Sequence, residues 1–426
     1  MRRDLANPRL LRVLNERRLL DQLHEHGPAS RADLAKSTGL SKPTVSAALA
    51  GLAEDGLVHL VGEVSGRPGP VSSLYDVNAA STHVAGIDIG RDWIRVAVAD
   101  LRGAFAGRTD GRNTARTSAE LAELVGELAG AAAREAEVEW SSITCAVVGS
   151  PGVYDPVRGG LDFAPNLPGP PDLADRLHAA LGVDLVIEND INLAAVGEHV
   201  HGAGQGKANF ALVSIGTGVG MGIVINGELY VGARGAAGEV SYIPAAEEPP
   251  ASAPPTGPFA EDADPLKGGA DSFAHDADPL KRGADSFAHD ADPFTHGATE
   301  AATSAPGVVR AARAAGLELE TAREVFAAAA EGNAAARSVV EAEGRRIGGL
   351  LVAVAAVLDP EVIVLSGGVG RNLDLLGASV ERRIAELGPL RPRVVASALG
   401  DSGVLLGAVA HAKSRAWDLI FDARKH

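Results

Sequence analysis

Cysteine is almost absent from this chain of 426 residues, and aromatic residues make up only 4% of it. A single cysteine excludes a disulfide framework and a cysteine-rich structural zinc site, and it is typical of the reducing cytoplasm. Long apolar runs are also missing. The longest, residues 348–358, is too short to cross a bilayer, so we expect no membrane partner. The basic N-terminus has no uninterrupted apolar stretch, so we expect no signal peptide.

Acidic residues are abundant instead, with 55 Asp and Glu against 39 Lys and Arg and a net charge of −16. Their distribution is uneven, because residues 1–80 carry 10 basic and 9 acidic residues while the remaining 346 carry 29 and 46. The length and an apolar content of 46% predict two or three globular domains. Only the nearly neutral N-terminal part suits nucleic acid, which the acidic remainder would repel.

The first 78 residues have the pattern of a winged helix-turn-helix. The spacing of apolar residues predicts a helix over 9–26, a short second helix capped by Ser30, and a third helix capped by Ser41. Two strands follow, joined by a Gly/Pro-rich loop. Short polar side chains at the start of the third helix are suited to a major groove. The predicted contacts to double-stranded operator DNA are Ser41, Lys42, Thr44, Ser46 and, on the loop, Arg67. The same pattern would also suit a helical bundle that only dimerises.

Beyond a linker predicted at 79–83, buried strands alternate with helices, which indicates an α/β body. A strand–glycine turn–strand unit occurs twice, so we expect two similar lobes. The first covers 84–188 together with part of the C-terminal helix, and the second covers 189–426.

Two features of the body suggest a ligand site. The glycine turn at 216–222 would let backbone N–H groups approach a phosphate, although most such turns only reverse the chain. Asn189 and Asp190 follow a buried strand, where polar residues of α/β folds line clefts. Asp190 has the chemistry of a general base, and a helix N-cap is the other interpretation of an aspartate at this position.

One segment, residues 245–306, interrupts this alternation. It contains a 14-residue repeat and holds 12 acidic against 3 basic residues. Such a composition predicts a disordered, solvated insert. Its spaced histidines, His275, His289 and His296, would bind metal only weakly, so we expect no metal site.

Several motifs outside the insert recur together in one known family. They are GRP at 66–68, IDIG at 87–90, SPG at 150–152, NLPG at 166–169, ENDINLAA at 188–195, GTGVGMGIVINGELYVGARGAAGEV at 216–240 and LSGGV at 365–369. With the winged head, they resemble the ROK family (repressors, open reading frames, kinases), in its branch of xylose and N-acetylglucosamine repressors. The resemblance covers nearly the whole chain except residues 245–306. It implies a two-lobed, actin-like or hexokinase-type fold around a sugar site.

The resemblance also implies roles for individual residues. The sugar contacts would be Asn166, Asn189, Asp190 and Glu239, with Tyr242 where the family usually has a histidine that binds sugar and zinc. In the family's kinases the residue at the position of Asp190 is the catalytic base, and the one at Asp88 helps to place Mg-ATP.

Three departures from the family pattern argue against catalysis and against zinc. The kinases continue the Asp88 motif with small, phosphate-binding residues, whereas Arg91 and the acidic Asp92 follow here. The histidine is replaced by Tyr242, and the cysteine-rich zinc loop is absent. Structural zinc sites need four N or S ligands, which the chain does not supply there. We therefore predict neither catalytic residues nor a metal or other cofactor.

The sequence thus predicts a homodimeric or tetrameric regulator, a repressor of carbohydrate-utilisation genes that a sugar or sugar derivative releases from DNA. Two alternatives remain at this point. One is a regulator of the same fold that ignores sugars, and the other is an active ATP-dependent sugar kinase with a DNA-binding head.

Overall fold

The computed structural model describes residues 8–64, 72–155, 160–162, 170–244 and 297–425. They form an N-terminal head of three helices with a small sheet, and a body of two lobes, each built on a five-stranded sheet. The predicted fold class, a winged helix-turn-helix followed by a two-lobed α/β domain, is confirmed. No helix among the described residues is long and apolar enough to cross a membrane.

The head begins with helices whose starts are set by capping side chains. Its elements are α1 (Pro8–His26), β1 (Ala29–Ser30), α2 (Arg31–Thr38), α3 (Lys42–Glu54), β2 (Val58–Val64) and β3 (Ser72–Val77). Ser30 Oγ accepts the Asp33 N–H at 3.2 Å, and Gly39 ends α2 in the left-handed conformation at φ +71°. The strands pair in the order β1-β3-β2, and leucines of all three helices form one buried core with β2 and β3.

The first lobe is a mixed sheet with helices on its surface. It comprises β4 (His83–Ile89), β5 (Trp93–Asp100), β6 (Phe105–Arg112), α4 (Ser118–Glu135), β7 (Ile143–Ser150), β8 (Val153–Asp155), β9 (Gly160–Asp162), α5 (Pro170–Leu181) and β10 (Asp184–Asn189). The strand order is β10-β7-β4-β5-β6, with β4, β7 and β10 parallel. Their carboxyl ends therefore share one edge, where Asp88 lies opposite Gly149 and Asn189 opposite Ser150.

The second lobe repeats this topology. It comprises α6 (Asp190–His201), β11 (Phe210–Ile215), β12 (Val219–Ile225), β13 (Glu228–Leu229), α7 (Ala298–Thr303), α8 (Ala305–Ala314), α9 (Ala322–Ala330), α10 (Ala334–Leu358), β14 (Val362–Ser366), α11 (Gly367–Gly370), α12 (Leu373–Leu387) and β15 (Val394–Ala396). Its strands lie in the order β13-β12-β11-β14-β15, with β11, β14 and β15 parallel. The expectation of two similar lobes is met.

The last helix, α13 (Gly403–Lys425), does not stay in the second lobe. It packs against α6, β4 and β7, and its final turns reach α1 in the head. The predicted lobe bounds, with part of the C-terminal helix in the first lobe and the second lobe running to residue 426, remain a prediction. Within the predicted linker at 79–83, a 3₁₀ turn covers Ala79–Ser81, and β4 begins at His83.

The predicted disordered insert is wrong at its C-terminal end. Residues 245–296 lie outside the described residues, but α7 and the start of α8 fall within the predicted span. Thr299 and Thr303 are buried, and the Thr299 hydroxyl donates to the Ile243 carbonyl at 2.6 Å. Threonines that satisfy their hydroxyls on backbone carbonyls can be buried without any apolar periodicity, so the composition does not reveal them.

Candidate DNA-binding surface and interlobe site

The start of α3 presents two free polar side chains. Lys42 and Ser46 are exposed. Ser41 is committed locally, because its Oγ accepts the Thr44 N–H at 3.3 Å and lies 2.7 Å from the Thr44 hydroxyl. Of the residues predicted to contact DNA, the structure therefore leaves Lys42 and Ser46 freest for a partner. Arg67 lies outside the described residues.

An exposed arginine that the sequence did not single out stands at the start of α2. The Arg31 guanidinium lies over the Tyr75 ring, 4.8 Å from its centroid, and donates to the Tyr75 hydroxyl. Stacking on an aromatic ring holds a guanidinium in one orientation. Since the first helix of a helix-turn-helix crosses the DNA backbone, Arg31 is suited to a phosphate.

Asn189 and Asp190 stand where β10 passes into α6. The N-cap of α6 is Asn189, whose Oδ1 accepts the N–H groups of Ile191 at 2.9 Å and Asn192 at 3.1 Å. Its amide also donates to the Gly152 carbonyl at 3.0 Å, which leaves one N–H for a ligand. Asp190 is the first residue of the helix and not its cap, and its carboxylate interacts with the backbone N–H groups of Ile191 and of Asp190 itself.

Two acidic side chains, Asp88 at the end of β4 and Asp190 at the start of α6, have pKa values well above the ordinary value of an aspartate. Burial raises the pKa of Asp190 to about 6, and the negative charge of Glu239 adds to the increase. Burial also raises the pKa of Asp88 to about 6, although Arg95, 2.9 Å from the Asp88 carboxylate, opposes it. Asp190 contributes to the Asp88 shift as well, which places the two carboxylates within electrostatic reach of each other.

Glu239 approaches Asp190 from the second lobe because of a backbone contact that only glycine allows. Gly238 has φ +92°, and a Cβ there would lie 1.8 Å from the Met221 carbonyl oxygen. The Gly238 carbonyl accepts the Met221 N–H at 3.0 Å, which holds this segment on β12. Burial raises the pKa of Glu239, and the neighbouring Glu300 adds to the shift.

Glu300 is the site residue that the sequence missed, because it fell within the predicted insert. Its carboxylate accepts the N–H of Val219, the first residue of β12 after the glycine turn, at 3.2 Å. Burial, followed by the charges of Glu239 and Glu300, raises the pKa of Tyr242, whose residue surface is 42% exposed. The end of the 14-residue repeat, which precedes Glu300, was the available signal that the insert had finished.

The structure thus brings Asp190, Glu239 and Tyr242 together where the lobes meet, and it adds Asp88 and Glu300. Asn166 lies outside the described residues. Carboxylates and amides accept and donate the paired hydrogen bonds that adjacent sugar hydroxyls offer. The Glu300 carboxylate already accepts the N–H of Val219, at the start of β12. This N–H is therefore not available to bind a phosphate.

The raised pKa of Asp190 predicts a cost in stability at neutral pH. A carboxyl whose native pKa exceeds its ordinary 3.8 stabilises the fold below that value, and this stability is lost as pH rises through about 6. Asp190→Asn removes the ionisation, so we expect the variant to melt above the wild type at pH 8. The difference amounts to about 2–3 kcal/mol at most and fades toward pH 4. Thermal melts at both pH values measure it, and a variant less stable than wild type at pH 8 would contradict it.

No group of three or more His, Cys, Asp or Glu within the described part of the chain is arranged to hold a metal. The prediction that folding needs no metal remains to be tested. We expect dialysis against EDTA to leave the melting temperature unchanged. Stoichiometric zinc in tag-free protein would overturn this prediction and point to His275, His289 and His296, which lie outside the described residues.

Comparisons with known proteins agree with this architecture. A sequence model of the ROK family matches residues 84–415, and one of the MarR family matches residues 14–67. The xylose repressor of Bacillus subtilis is 29% identical over 243 residues, which are 56% of this chain and 62% of that protein. A glucokinase of Halalkalibacterium halodurans is 29% identical over 61% of this chain and 73% of its own length. The chain thus spans less than two thirds of the xylose repressor it matches.

Solved structures extend the similarity to the head. A ROK family transcriptional regulator described as a homologue of the E. coli MLC protein aligns over 97% of this chain and 99% of its own, with a TM-score of 0.73 and 20% identity. The ROK hexokinase of Thermus thermophilus aligns over 79% of this chain and all of its own, with a TM-score of 0.58 and 26% identity. The first confirms the winged-helix-plus-two-lobe fold. With the family model spanning most of its length, the chain belongs to the ROK family.

Proposed function

We propose that this protein is a DNA-binding repressor of carbohydrate-utilisation genes and that a sugar bound between its lobes releases it from the operator. One observation carries the proposal: a single chain joins an α3 with exposed Lys42 and Ser46 to a site where Asp190 and Glu239 lie within electrostatic reach of each other. The similarity to the xylose repressor of Bacillus subtilis supports the same assignment. Carboxylates can accept hydrogen bonds from sugar hydroxyls. Xylose is the first sugar to test, because of the similarity to the xylose repressor.

The kinase alternative is disfavoured by the turn between β4 and β5. Arg91 and Asp92 are exposed there. The Gly90 N–H donates to the Trp93 carbonyl across the turn at 2.9 Å, and the Asn113 side chain, just beyond β6, donates to the Gly90 carbonyl at 2.9 Å. An exposed Asp92 would repel a triphosphate. Asp88, the residue that would help to place Mg-ATP, is instead paired with Arg95 at 2.9 Å. A coupled ATP assay with glucose, xylose and N-acetylmannosamine would reveal turnover if this reasoning were wrong.

The regulator is proposed to act as a homodimer or a dimer-based tetramer. One winged head buries a modest area on DNA, and two heads that read a palindromic site are the usual arrangement. A monomer that binds operator with full affinity at micromolar concentration would contradict this assembly.

A thermal-shift screen separates the sugar-responsive regulator from one that ignores sugars. A ligand that binds only the native state must raise the melting temperature, by an amount set by its concentration relative to Kd. We expect at least one sugar among xylose, glucose and N-acetylmannosamine, each at 10 mM, to stabilise the wild type and not Glu239→Gln. Equal shifts in both proteins would place the ligand elsewhere, and no shift with any sugar would favour the ligand-independent alternative.

A further inference from the structure

The first half of α13 lies directly on the two elements that carry carboxylates of the interlobe site. It touches α6 without intervening side chains: a Cβ on Gly407 would lie 1.7 Å from the Leu193 carbonyl oxygen, and one on Gly197 would lie 2.3 Å from that of Gly403. It also lies close to β4, since a Cβ on Gly86 would lie 2.6 Å from the Val409 Cγ2 and 2.8 Å from the Val409 nitrogen. The contacts of α13 with α6 cannot tighten further, because the two helix backbones already touch there.

The two contacted elements lead straight to the site. Helix α6 begins with Asp190, one turn before Leu193, and Asp88 stands two residues beyond Gly86 on β4. If a ligand displaces Asp190 together with α6, or Asp88 together with β4, the displaced element therefore has to move α13 as well.

The middle of α13 is held to the first-lobe sheet. The Cys145 thiol, in β7, lies 3.2 Å from the Ala412 carbonyl oxygen. Arg415 forms a two-pronged ion pair with Asp184 at the start of β10, at 3.1 and 3.2 Å. These contacts keep the helix continuous and aligned between the site and the head.

The second half of α13 forms part of the head. Phe421 is 1% exposed and belongs to the same buried cluster as Leu20, Leu49 and Leu52. Arg17 of α1 pairs with Asp418 at 2.8 Å, and Arg424 pairs with Asp55, just beyond α3. The head core is therefore incomplete without the end of a helix whose first half packs on the elements that carry Asp190 and Asp88.

We propose that α13 transmits changes at the interlobe site to the DNA-binding head. A ligand-driven displacement of α6 has to shift α13, because close-packed contacts of this kind move as units and do not deform gradually. The shifted helix then changes how α1 and α3 are held. That the displacement is caused by a sugar rests on the proposed function, but the mechanical link does not.

The link is tested in the full-length protein without any sugar. Gly407→Ala forces α6 and α13 apart and should make the amides of α1 and α3 exchange with deuterium at least tenfold faster. The matched control is Gly348→Ala, where a Cβ would lie 2.8 Å from the Arg383 Cβ in the α10–α12 contact, away from α13. We expect the control to leave exchange in the head unchanged.

A second variant tests the link from the other end and covers the case in which Gly407→Ala does not fold. Phe421→Leu, a mild change in the head core, should speed exchange in the first turns of α6 severalfold. Unchanged exchange in α6, or equal exchange in the heads of Gly407→Ala and Gly348→Ala, would overturn the proposal. Failure of every sugar to bind would instead overturn the proposed function and leave this result standing.

Discussion

Replacing Lys42 and Arg67 together with alanine should weaken operator binding on the order of a hundredfold at physiological salt. In a dimer the double variant removes up to four phosphate contacts, and each contact contributes about 0.9 to the slope of log K against log salt. The slope should therefore fall by about 3 to 4. Lys42 is exposed at the start of α3, so its removal leaves the head core intact.

The control for this prediction is a double variant with the same change in net charge on the body. Arg116→Ala with Arg323→Ala serves, since both arginines are exposed and lie outside the head. Fluorescence anisotropy with a labelled operator at several salt concentrations measures affinity and slope together. If the head variant and the body variant lose affinity equally, the effect is one of net charge, and the assignment of the DNA-binding surface is wrong.

The second large effect is expected at the interlobe site, where Glu239→Gln and Asp190→Asn should each raise the sugar concentration needed for operator release by ten- to a hundredfold. A hydrogen bond to a charged group contributes about 1.5–3 kcal/mol, which corresponds to that range. Operator affinity in the absence of sugar should stay within a factor of two of wild type, because neither residue lies in the head.

Glu318→Ala is the matched control, since it removes an exposed carboxylate of the second lobe away from the site. The Glu318→Ala variant should be released from the operator at the wild-type sugar concentration.

Asp190→Asn is informative for another reason, because we expect the variant to be more stable than the wild type at pH 8 while it loses the response to sugar. Function and stability then oppose each other at one residue, as expected for a desolvated carboxylate kept for binding. Wild-type release by both site variants would contradict the ligand site.

The head and the lobes could be predicted from the sequence because their signals are local. Ser30 and Ser41 cap their helices as predicted, and Gly39 turns the chain between them. Two strand–turn–strand units in the sequence predicted the two sheets. The structure pairs β4 with β5 and β11 with β12, each pair antiparallel and joined by a turn that contains glycine.

The interlobe site could be predicted only in part, because its details depend on contacts between distant segments. The sequence allowed Asp190 to be a helix N-cap, yet the N-cap of α6 is its neighbour Asn189, and Asp190 is the first residue of the helix. Glu300 was hidden by the composition of the insert before it. The path of α13 depends on Gly407 meeting Leu193, more than two hundred positions away, and no periodicity records such a contact.

Operator binding by the wild type in the presence of sugar tests the central claim most directly. Genome-wide mapping of bound sites would identify the operator. The Kd of the protein for this operator would then be measured at increasing concentrations of xylose, glucose and N-acetylmannosamine. We predict that at least one of them raises the operator Kd tenfold or more in the wild type and has little effect in Glu239→Gln. An operator Kd that no sugar changes, or one that the same sugar changes equally in Glu239→Gln, would contradict the account.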